Sequence, residues 1–283
     1  MSEPLLLREI DDARAWVHSA RAAGASIGLV PTMGALHEGH LSLVRAARAE
    51  NDRVAVTVFV NPTQFSPSED YERYPRDLEA DLAALAELGV DAVFAPPVEA
   101  MYPPGAETSI DVGAVAQTLE GAQRPTHFAG VATVVMKLFG VLPAHRAYFG
   151  QKDYQQTVVI RRMVDDLNCP IEVVVCPIVR EPDGLAMSSR NVYLSPEQRE
   201  SALVLPSALR SAAQMVAEGQ HEASVLKAHA QSEIEAAEGV DLDYVEVVRD
   251  GTVTPVEHLD GPAVMVVAAR VGRTRLIDNT RFA

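Results

Sequence analysis

The sequence has few cysteines, few basic residues and no long apolar run. Only Cys169 and Cys176 occur among its 283 residues, and they form no Cys-x-x-Cys pair. Both lie beside apolar residues, so we expect buried thiols rather than a disulfide or a metal site. Because no apolar stretch approaches the roughly 18–20 residues that span a bilayer, we expect no membrane-spanning helix.

The shortage of basic residues also limits the possible partners. Lysine and arginine total 24 against 39 aspartate and glutamate residues, which gives a formal net charge of -15. Such a surface repels phosphates, so we expect no nucleic-acid partner and interpret the acidity as an aid to solubility. The first twelve residues, MSEPLLLREIDD, carry acids where a secretory signal carries bases. We therefore expect a cytoplasmic protein.

The first 180 residues alternate strand-like and helix-like segments. Runs rich in valine, isoleucine and phenylalanine predict strands at 26–30, 53–60, 91–95, 146–149 and 171–176. Amphipathic stretches predict helices at 40–50, 76–88, 128–142 and 154–167. This alternation is typical of the α/β class with a doubly wound, Rossmann-like parallel sheet. Ligands of such sheets bind in loops that follow the strands, here the loops after Val30, Val60 and Phe149.

The pattern changes after about residue 180. The segment Glu181-Pro-Asp-Gly184 has the composition of a turn, and Ser195 followed by Pro196 is typical of a helix start. Two alanine-rich helices, at 196–218 and 221–238, precede short strands at 243–249, 263–269 and 275–277. We therefore predict a Rossmann-like domain over residues 1–179 and a smaller α+β domain over residues 180–283.

The first candidate site follows a predicted strand, in Val30-Pro-Thr-Met-Gly-Ala-Leu-His37-Glu-Gly-His40. Gly34 and Gly39 let the backbone approach a ligand closely, and a helix N-terminus suits a phosphate. His37 and His40 fall on one face of the first helical turn, where both rings can donate to one phosphoryl group. Zinc is a weak alternative, because the spacing is i and i+3 and no third ligand is evident. Two ordinary loop histidines are the other alternative.

Neutral amides follow the next predicted strand, in Phe59-Val-Asn61-Pro-Thr-Gln64-Phe65. Asn61 and Gln64 can each donate and accept hydrogen bonds, which suits the hydroxyl and amine groups of a small polar substrate. For Asn61 alone, a plain Asn-Pro turn is an equal alternative.

A third candidate site joins strand, glycine turn and helix in Tyr148-Phe-Gly-Gln-Lys-Asp-Tyr-Gln-Gln156. Gly150 permits close approach of a ribose or base, and Lys152 offers a point charge for phosphate. Asp153 can accept hydrogen bonds from ribose hydroxyls. Gln156 lies one helical turn beyond Lys152 and so faces the same way.

The fourth candidate site is Gly184-Leu-Ala-Met-Ser-Ser-Arg-Asn191. Two serine hydroxyls and a permanently charged arginine suit a polyphosphate. A place at the predicted domain junction would let this loop, and the smaller domain as a lid, close over a nucleotide. A surface Ser-Ser-Arg turn is the alternative when the motif stands alone.

Together the four motifs resemble those of the pantoate–β-alanine ligase (pantothenate synthetase) family. That family belongs to the nucleotidyltransferase superfamily, which shares His-x-Gly-His with class I aminoacyl-tRNA synthetases. Residues 31–40 resemble its nucleotide signature and residues 59–65 its Phe-Val-Asn-Pro-x-Gln-Phe. Gly-x-Lys-Asp and Met-Ser-Ser-Arg also match, and the order of the motifs is kept over residues 28–279. Gln151 departs from the glutamate that is frequent in the family.

The resemblance implies that ATP and Mg²⁺, (R)-pantoate and β-alanine are bound, and that pantothenate, a coenzyme A precursor, forms through pantoyl-adenylate with release of AMP and pyrophosphate. The implied ATP-binding residues are Met33, Gly34, Ala35, Leu36, His37, Glu38, Gly39, His40, Gly150, Gln151, Lys152, Asp153, Val179, Met187, Ser188, Ser189 and Arg190. Gln64 and Gln156 would bind pantoate, with Asn61 as a neighbour. His40, as proton donor, with His37 and Lys152 would be catalytic. The family also suggests a homodimer.

Three weaker signals complete the sequence. Arg124, His127 and Gly130 resemble a family segment that lines the acid pocket, although Arg124 can equally be a surface charge. Asp77 and Asp81 lie at i and i+4 on a predicted helix. They can meet Mg²⁺, but a solvated helix face is the more common explanation, so we assign no metal-binding side chain. The segment Leu276-Ile-Asp-Asn279 also matches the family, with no chemical role.

Two other functions remain as alternatives. A nucleotidyltransferase that acts on a phosphate would share the histidine loop but would need further basic residues for a second phosphorylated substrate. The Gln64 and Gln156 pair favours a hydroxylated acid instead. A non-catalytic ATP-sensing module is disfavoured because the histidines, Lys152 and Arg190 are all present.

Overall fold

The computed structural model describes residues 3–66 and 71–282. Contacts within the chain divide these residues into two compact units. The first unit contains the described residues up to Gly150 together with Val159–Cys176. The second contains Gln151–Val158 and the described residues from Pro177 onward. The predicted boundary lies at residue 180, and the segment that carries Lys152 groups with the second unit.

A parallel sheet forms the centre of the first unit. In the described part of this unit the strands are β1 Leu5–Leu7, β2 Ile27–Thr32, β3 Arg53–Val58, β4 Ala92–Phe94, β5 Arg146–Gly150 and β6 Glu172–Cys176. Their order is β1-β4-β3-β2-β5-β6, and all neighbouring pairs are parallel. From β2 the chain adds β3 and β4 on one side and then β5 and β6 on the other, while β1 lies at the edge of the sheet beside β4. This arrangement confirms the predicted doubly wound α/β class.

The helices, numbered along the whole described chain, fall into long and short ones. The long ones are α1 Ile10–Ala22, α2 Glu38–Glu50, α3 Leu78–Glu87, α6 His127–Val141, α7 Tyr154–Asp166, α9 Val204–Ala217 and α10 Ala223–Glu235. The short ones are α4 Val98–Met101, α5 Glu120–Gln123 and α8 Pro196–Ala202. Within the described residues, none is long and apolar enough to cross a membrane.

Apolar side chains cover both faces of the parallel sheet. Leu29 packs on one face with residues of α1 and α6, whereas Val30, the next residue, packs on the other with residues of α2 and α3. Burial of both faces explains why the strands read as continuous apolar runs rather than alternating ones. Cys176 is buried and Cys169 half-buried, both are free thiols, and burial raises the pKa of each.

Two elements of the first unit have weak sequence signals. The buried face of α1 consists of Ala13, Val17 and Ala20, so its apolar stripe is correctly spaced but small. Strand β1 is three residues long and lies at the edge of the sheet, where Leu5 and Leu6 are exposed. Neither element is predicted from the sequence, because neither presents a long run of large apolar residues.

The second unit has the predicted α+β composition. Its antiparallel sheet, in the described residues, has the order β7-β8-β9, with β7 Val240–Arg249, β8 Ala263–Val271 and β9 Thr274–Phe282. Helices α9 and α10 pack on each other and on this sheet around Leu205, Leu209, Leu226 and Met265.

The prediction of one continuous helix over 196–218 is wrong, because the structure has two helices there. Ser195 caps α8 and exchanges hydrogen bonds with Gln198, as the sequence indicates, but the helix ends at Ala202 and α9 begins at Val204. Pro206 has no N–H to donate to the carbonyl of Ala202, and its ring crowds that oxygen, so the helix breaks there.

Candidate active site

The loops that carry the predicted motifs follow neighbouring strands of the first unit. Thr32 pairs with Val58 at the ends of β2 and β3, and β2 also pairs with β5 through Gly28 and Leu29. Because these strands are parallel, their carboxyl ends lie at one edge of the sheet. The order of strands reverses between β2 and β5, and open α/β sheets bind ligands at such a switch point.

His37 and His40 together cap the N-terminus of α2. The Nδ1 atom of His37 accepts from the N–H of Gly39 at 3.2 Å, and Nδ1 of His40 accepts from the N–H of His37 at 3.4 Å. The ring centroids lie 4.1 Å apart. A neutral imidazole whose Nδ1 accepts a hydrogen bond carries its proton on Nε2. Each ring therefore carries an Nε2–H donor at the positive end of the helix dipole.

A buried carboxylate holds the loop that precedes these histidines. Asp81 accepts from the N–H of Ala35 at 3.1 Å and from the N–H of Leu36 at 2.8 Å. Gly34 and Ala35 have φ values of +82° and +51°, in the left-handed region. A Cβ at Gly34 would lie 2.8 Å from Oδ2 of Asp81, so this close approach requires glycine. Burial raises the pKa of Asp81, and the two backbone donors oppose that shift only in part.

The expectation of a solvated helix face for Asp77 and Asp81 is wrong for Asp81. Its side chain is 4% exposed, and both carboxylate oxygens are used by the loop. Asp77 is the N-cap of α3, where Oδ1 accepts from the N–H of Ala80 at 3.0 Å. Asp81 shares the buried face of α3 with Leu85, one turn later. That spacing is a sequence signal for a buried acid.

The side-chain amide of Gln64 is oriented by its neighbours. Its Oε1 accepts from Nδ2 of Asn61 at 3.1 Å, and its Nε2 donates to the sulfur of Met33 at 3.2 Å. Asn61 is buried, donates also to the carbonyl of Gly130 at 3.1 Å, and accepts from the hydroxyl of Tyr102 at 2.9 Å. Both N–H groups of Asn61 are thus used within the protein. The structure gives Asn61 a role in orienting Gln64, and Tyr102 is a supporting residue that no sequence motif indicates.

The weaker family segment packs against the backbone of this turn. Nδ1 of His127 donates to the carbonyl of Gln64 at 2.9 Å, and Nη1 of Arg124 lies 3.1 Å from Nε2 of His127. A Cβ on Gly130 would lie 2.5 Å from the carbonyl oxygen of Thr63. Glycine is therefore needed for α6 to approach the turn that ends in Gln64.

In the second unit, a 3₁₀ turn directly before α7 carries Lys152. The Nζ atom of Lys152 lies 3.8 Å from Oδ1 of Asp153. Asn279 of β9 holds the turn, because its Nδ2 donates to the carbonyls of Gln151 at 2.9 Å and Lys152 at 3.1 Å. Its Oδ1 accepts from Nε2 of Gln151 at 3.0 Å. Gln156 is partly exposed in the first turn of α7.

A short hairpin carries Val179 and leads into the Ser-Ser-Arg motif. The carbonyl of Val179 accepts from the N–H of Met187 at 3.0 Å. At its tip the N–H of Gly184 donates to the carbonyl of Glu181 at 2.8 Å, and Gly184 has a φ of +98°. The turn predicted at 181–184 is therefore confirmed, with glycine at the position that needs a left-handed conformation.

The motif itself begins a second 3₁₀ turn, Ser189–Tyr193. Oγ of Ser188 accepts from the N–H of Arg190 at 3.3 Å, which caps this turn. Asn191 is buried and donates to the carbonyl of Ala186 at 3.1 Å. The serines and Arg190 therefore follow directly from an anchored hairpin.

The predicted site residues are divided between the two units. Residues 33–40, Asn61, Gln64 and Gly150 belong to the first unit, and the remaining ones belong to the second. Within the units the structure brings together His37 with His40, Met33 with Gln64, and Val179 with Met187.

Comparisons with known proteins identify the family. A family model described as pantoate-beta-alanine ligase matches residues 5–281. A pantothenate synthetase from Roseiflexus sp. (strain RS-1) is 60% identical over 264 residues, which cover 93% of this chain and 95% of the relative. The crystal structure of pantothenate synthetase from Thermus thermophilus has a TM-score of 0.93 and 48% identity, with 98% of each chain covered.

A second solved structure bears on the ligands. It is described as pantoate-beta-alanine ligase from Francisella tularensis complexed with beta-gamma ATP and beta-alanine. Its TM-score is 0.80 at 36% identity, and the match covers 98% of this chain and 97% of that one. The family match over almost the whole described chain, the close relatives and the shared fold agree with the four motifs. The chain belongs to the pantoate–β-alanine ligase family.

Proposed function

We propose that the chain condenses (R)-pantoate with β-alanine through a pantoyl-adenylate intermediate, releasing AMP and pyrophosphate. Family membership supports a ligase of pantothenate synthesis that uses ATP. The observation that carries the adenylate route is the double histidine cap of α2. Two Nε2–H donors on one helical turn at a helix N-terminus suit the charge that develops when a phosphoryl group is attacked.

In the first half-reaction a carboxylate oxygen of pantoate attacks the α-phosphorus of ATP. The bond from that phosphorus to the oxygen bridging to the β-phosphorus breaks, and pyrophosphate leaves with the electron pair. His37 and His40 donate hydrogen bonds to the phosphoryl oxygens, while Lys152 and Arg190 offset the charge of the triphosphate. Because the barrier is largely one of positioning anions, no protein nucleophile is required.

In the second half-reaction the amine nitrogen of β-alanine attacks the acyl carbon of the intermediate. A carbon–nitrogen bond forms, the bond from the acyl carbon to the phosphate oxygen breaks, and AMP leaves with that electron pair. The amine loses a proton as the amide forms. The products are pantothenate and AMP, with no covalent bond to the protein.

Pantoate recognition is assigned to Gln64 and Gln156. An amide has two N–H donors and two acceptor lone pairs. Gln64 donates one N–H to Met33 and accepts one hydrogen bond from Asn61, and the two contacts together define the orientation of its amide. The other donor and lone pair suit the hydroxyl groups of pantoate, which a phosphorylated acceptor would not match.

We further propose that ATP binds as its Mg²⁺ complex, with the ion on phosphate and water oxygens. The α3 carboxylates do not fit a protein-held magnesium site, because Asp81 is used by the loop and Asp77 by the helix cap. Among residues 3–66 and 71–282, no group of three or more metal-binding side chains is placed to hold an ion. The homodimer, the lid role of residues 180–283 and the cytoplasmic location stay predictions, and light scattering tests the first.

The decisive experiment is exchange of labelled pyrophosphate into ATP. We expect exchange that depends on pantoate and proceeds without β-alanine, because reversal of the first half-reaction needs only the adenylate and pyrophosphate. Exchange that requires β-alanine, or that a phosphorylated acceptor drives equally well, would contradict the adenylate route. Absence of any exchange would do the same.

A further inference from the structure

Strand β9 contains a polar pair that strand formation does not explain. Asp278 and Asn279 lie within it and are 4% and 2% exposed. Aspartate and asparagine are depleted in strands, and burying a polar group is costly unless it is hydrogen-bonded. Their partners therefore indicate what the pair does.

Within the described residues, the three hydrogen bonds of the Asn279 side chain go to one turn. Both Nδ2 hydrogens are donated to consecutive carbonyls, those of Gln151 and Lys152, and Oδ1 accepts from the side chain of Gln151. The donors bind backbone atoms, so the contact fixes the path of the turn rather than one rotamer. The position from which Lys152 extends is thereby tied to β9.

The backbone at Asn279 is itself held in place. Asp278 accepts from two nitrogens of Arg180, at 2.6 and 3.0 Å, and from the N–H of Asn279 at 2.7 Å. A two-point contact between guanidinium and carboxylate restricts orientation as well as distance. Asn279 therefore holds the turn from a backbone position that is itself fixed. The same side chain on a mobile segment would not fix the turn.

We propose that Asn279 is a positioning residue for Lys152 and acts on ATP only through that lysine. The proposal rests on the proposed function for the role of Lys152. Lysine carries its charge at the end of a flexible four-carbon chain. The charge therefore contributes to binding only if the backbone from which the side chain extends is placed correctly. Misplacement of a charge-stabilising group by about 1 Å can lower a reaction rate on the order of 100-fold.

The test compares Asn279→Ala and Asn279→Asp with the parent chain in affinity for MgATP, measured by calorimetry without pantoate. We expect Kd to rise about tenfold or more in both variants, since hydrogen bonds of this kind contribute on the order of a tenfold factor. Asn279→Asp keeps the size and the acceptor, yet it places oxygen against two carbonyl oxygens. A Kd within about twofold of the parent in both variants would overturn the proposal.

A double-mutant cycle separates positioning from general damage. In a Lys152→Ala background, Asn279→Ala should raise Kd by less than about threefold, because the lysine through which it acts is gone. A full tenfold effect in both backgrounds would show that Asn279 acts independently of Lys152. If Lys152→Ala leaves Kd unchanged, the proposal also fails.

Leu276→Val is the matched control in the same strand. Leu276 lies in the apolar core of the second unit, so this variant loosens β9 without removing a bond to the turn. We expect a lower melting temperature and an unchanged Kd. A rise in Kd equal to that of the Asn279 variants would mean that any weakening of β9 lowers affinity, and it would overturn the proposal. Because Kd requires no turnover, these results can be interpreted even if the exchange assay refutes the adenylate route.

Discussion

Replacing Asp81 by alanine removes the carboxylate that holds the loop before His37, yet it changes no side chain of that loop. Each N–H bond to a charged acceptor contributes about 1.5–3 kcal/mol, and Asp81 receives two. The left-handed conformation of Ala35 costs about 1–2 kcal/mol. The free energy of the two bonds therefore exceeds the conformational cost at Ala35. Without these bonds we expect the loop to leave its present conformation.

The expected result is a coupled loss of stability and of ATP binding. The alanine variant does not bury a charge, and this gain offsets part of the free energy lost with the two hydrogen bonds. Asp81→Ala should therefore lower the free energy of unfolding by about 2–3 kcal/mol. The rate of pantoate-dependent exchange at low ATP should fall about 10- to 100-fold, because the backbone leading to both histidines is displaced. Denaturant unfolding and the exchange assay measure the two effects.

The control is Asp77→Ala on the same helix. The carboxylate of Asp77 caps α3 at Ala80 instead of holding the loop, so its loss should cost about 1 kcal/mol of stability and leave exchange unchanged. Two results would refute the reasoning: normal exchange in a destabilised Asp81→Ala, or an equal loss of exchange in Asp77→Ala. Either would mean that the carboxylate of Asp81 supports α3 and not the loop.

Three other variants test separate parts of the site. Because burial raises the pKa of Asp81, the part of its contribution to stability that depends on protonation is fully present below about pH 3.9 and is lost as pH rises through the higher folded value. The unfolding free energy of the parent minus that of Asp81→Asn should therefore fall over this range, and a rise would contradict the shift. His40→Ala should lower the adenylation rate by about 100-fold or more in single-turnover assays, and a nearly unchanged rate would reduce His40 to a helix cap. Gly130→Ala forces a methyl group toward the carbonyl of Thr63 and should raise KM for pantoate but not Kd for MgATP; equal changes in both would argue for general damage.

Elements with strong periodicity could be predicted from the sequence, and weak ones could not. Helix α6 lies within one residue of its predicted bounds at each end, because apolar residues occupy most of its surface. Helix α1 buries only two alanines and a valine, so its pattern resembles that of a loop. Strand β9 is predicted over 275–277 but extends to Phe282, because Asp278 and Asn279 have a composition that argues against a strand.

The candidate site residues could be proposed from the sequence, because each motif is local, and their roles stay predictions. The order of strand, glycine turn and helix identifies the histidine loop and the Lys152 turn without knowledge of any contact. The residues that hold these loops come from distant parts of the chain: Asp81 lies 46 positions from Ala35, and Asn279 lies 127 from Lys152. One sequence contains no signal that pairs such positions, since their meeting depends on the finished fold.

Several buried polar side chains of the described chain have a common task. Asp81, Asn61 and Asn279 each bind the backbone or side chain of a loop that carries a predicted site residue, whereas Asn51 binds Ala47 and Tyr148 away from these loops. Apolar residues would stabilise the cores at least as well, but they cannot satisfy the N–H and C=O groups of an irregular loop. The motifs alone therefore do not define the site. Transferring residues 31–40 to another Rossmann-like sheet would not reproduce the histidine geometry unless an acid equivalent to Asp81 came with them.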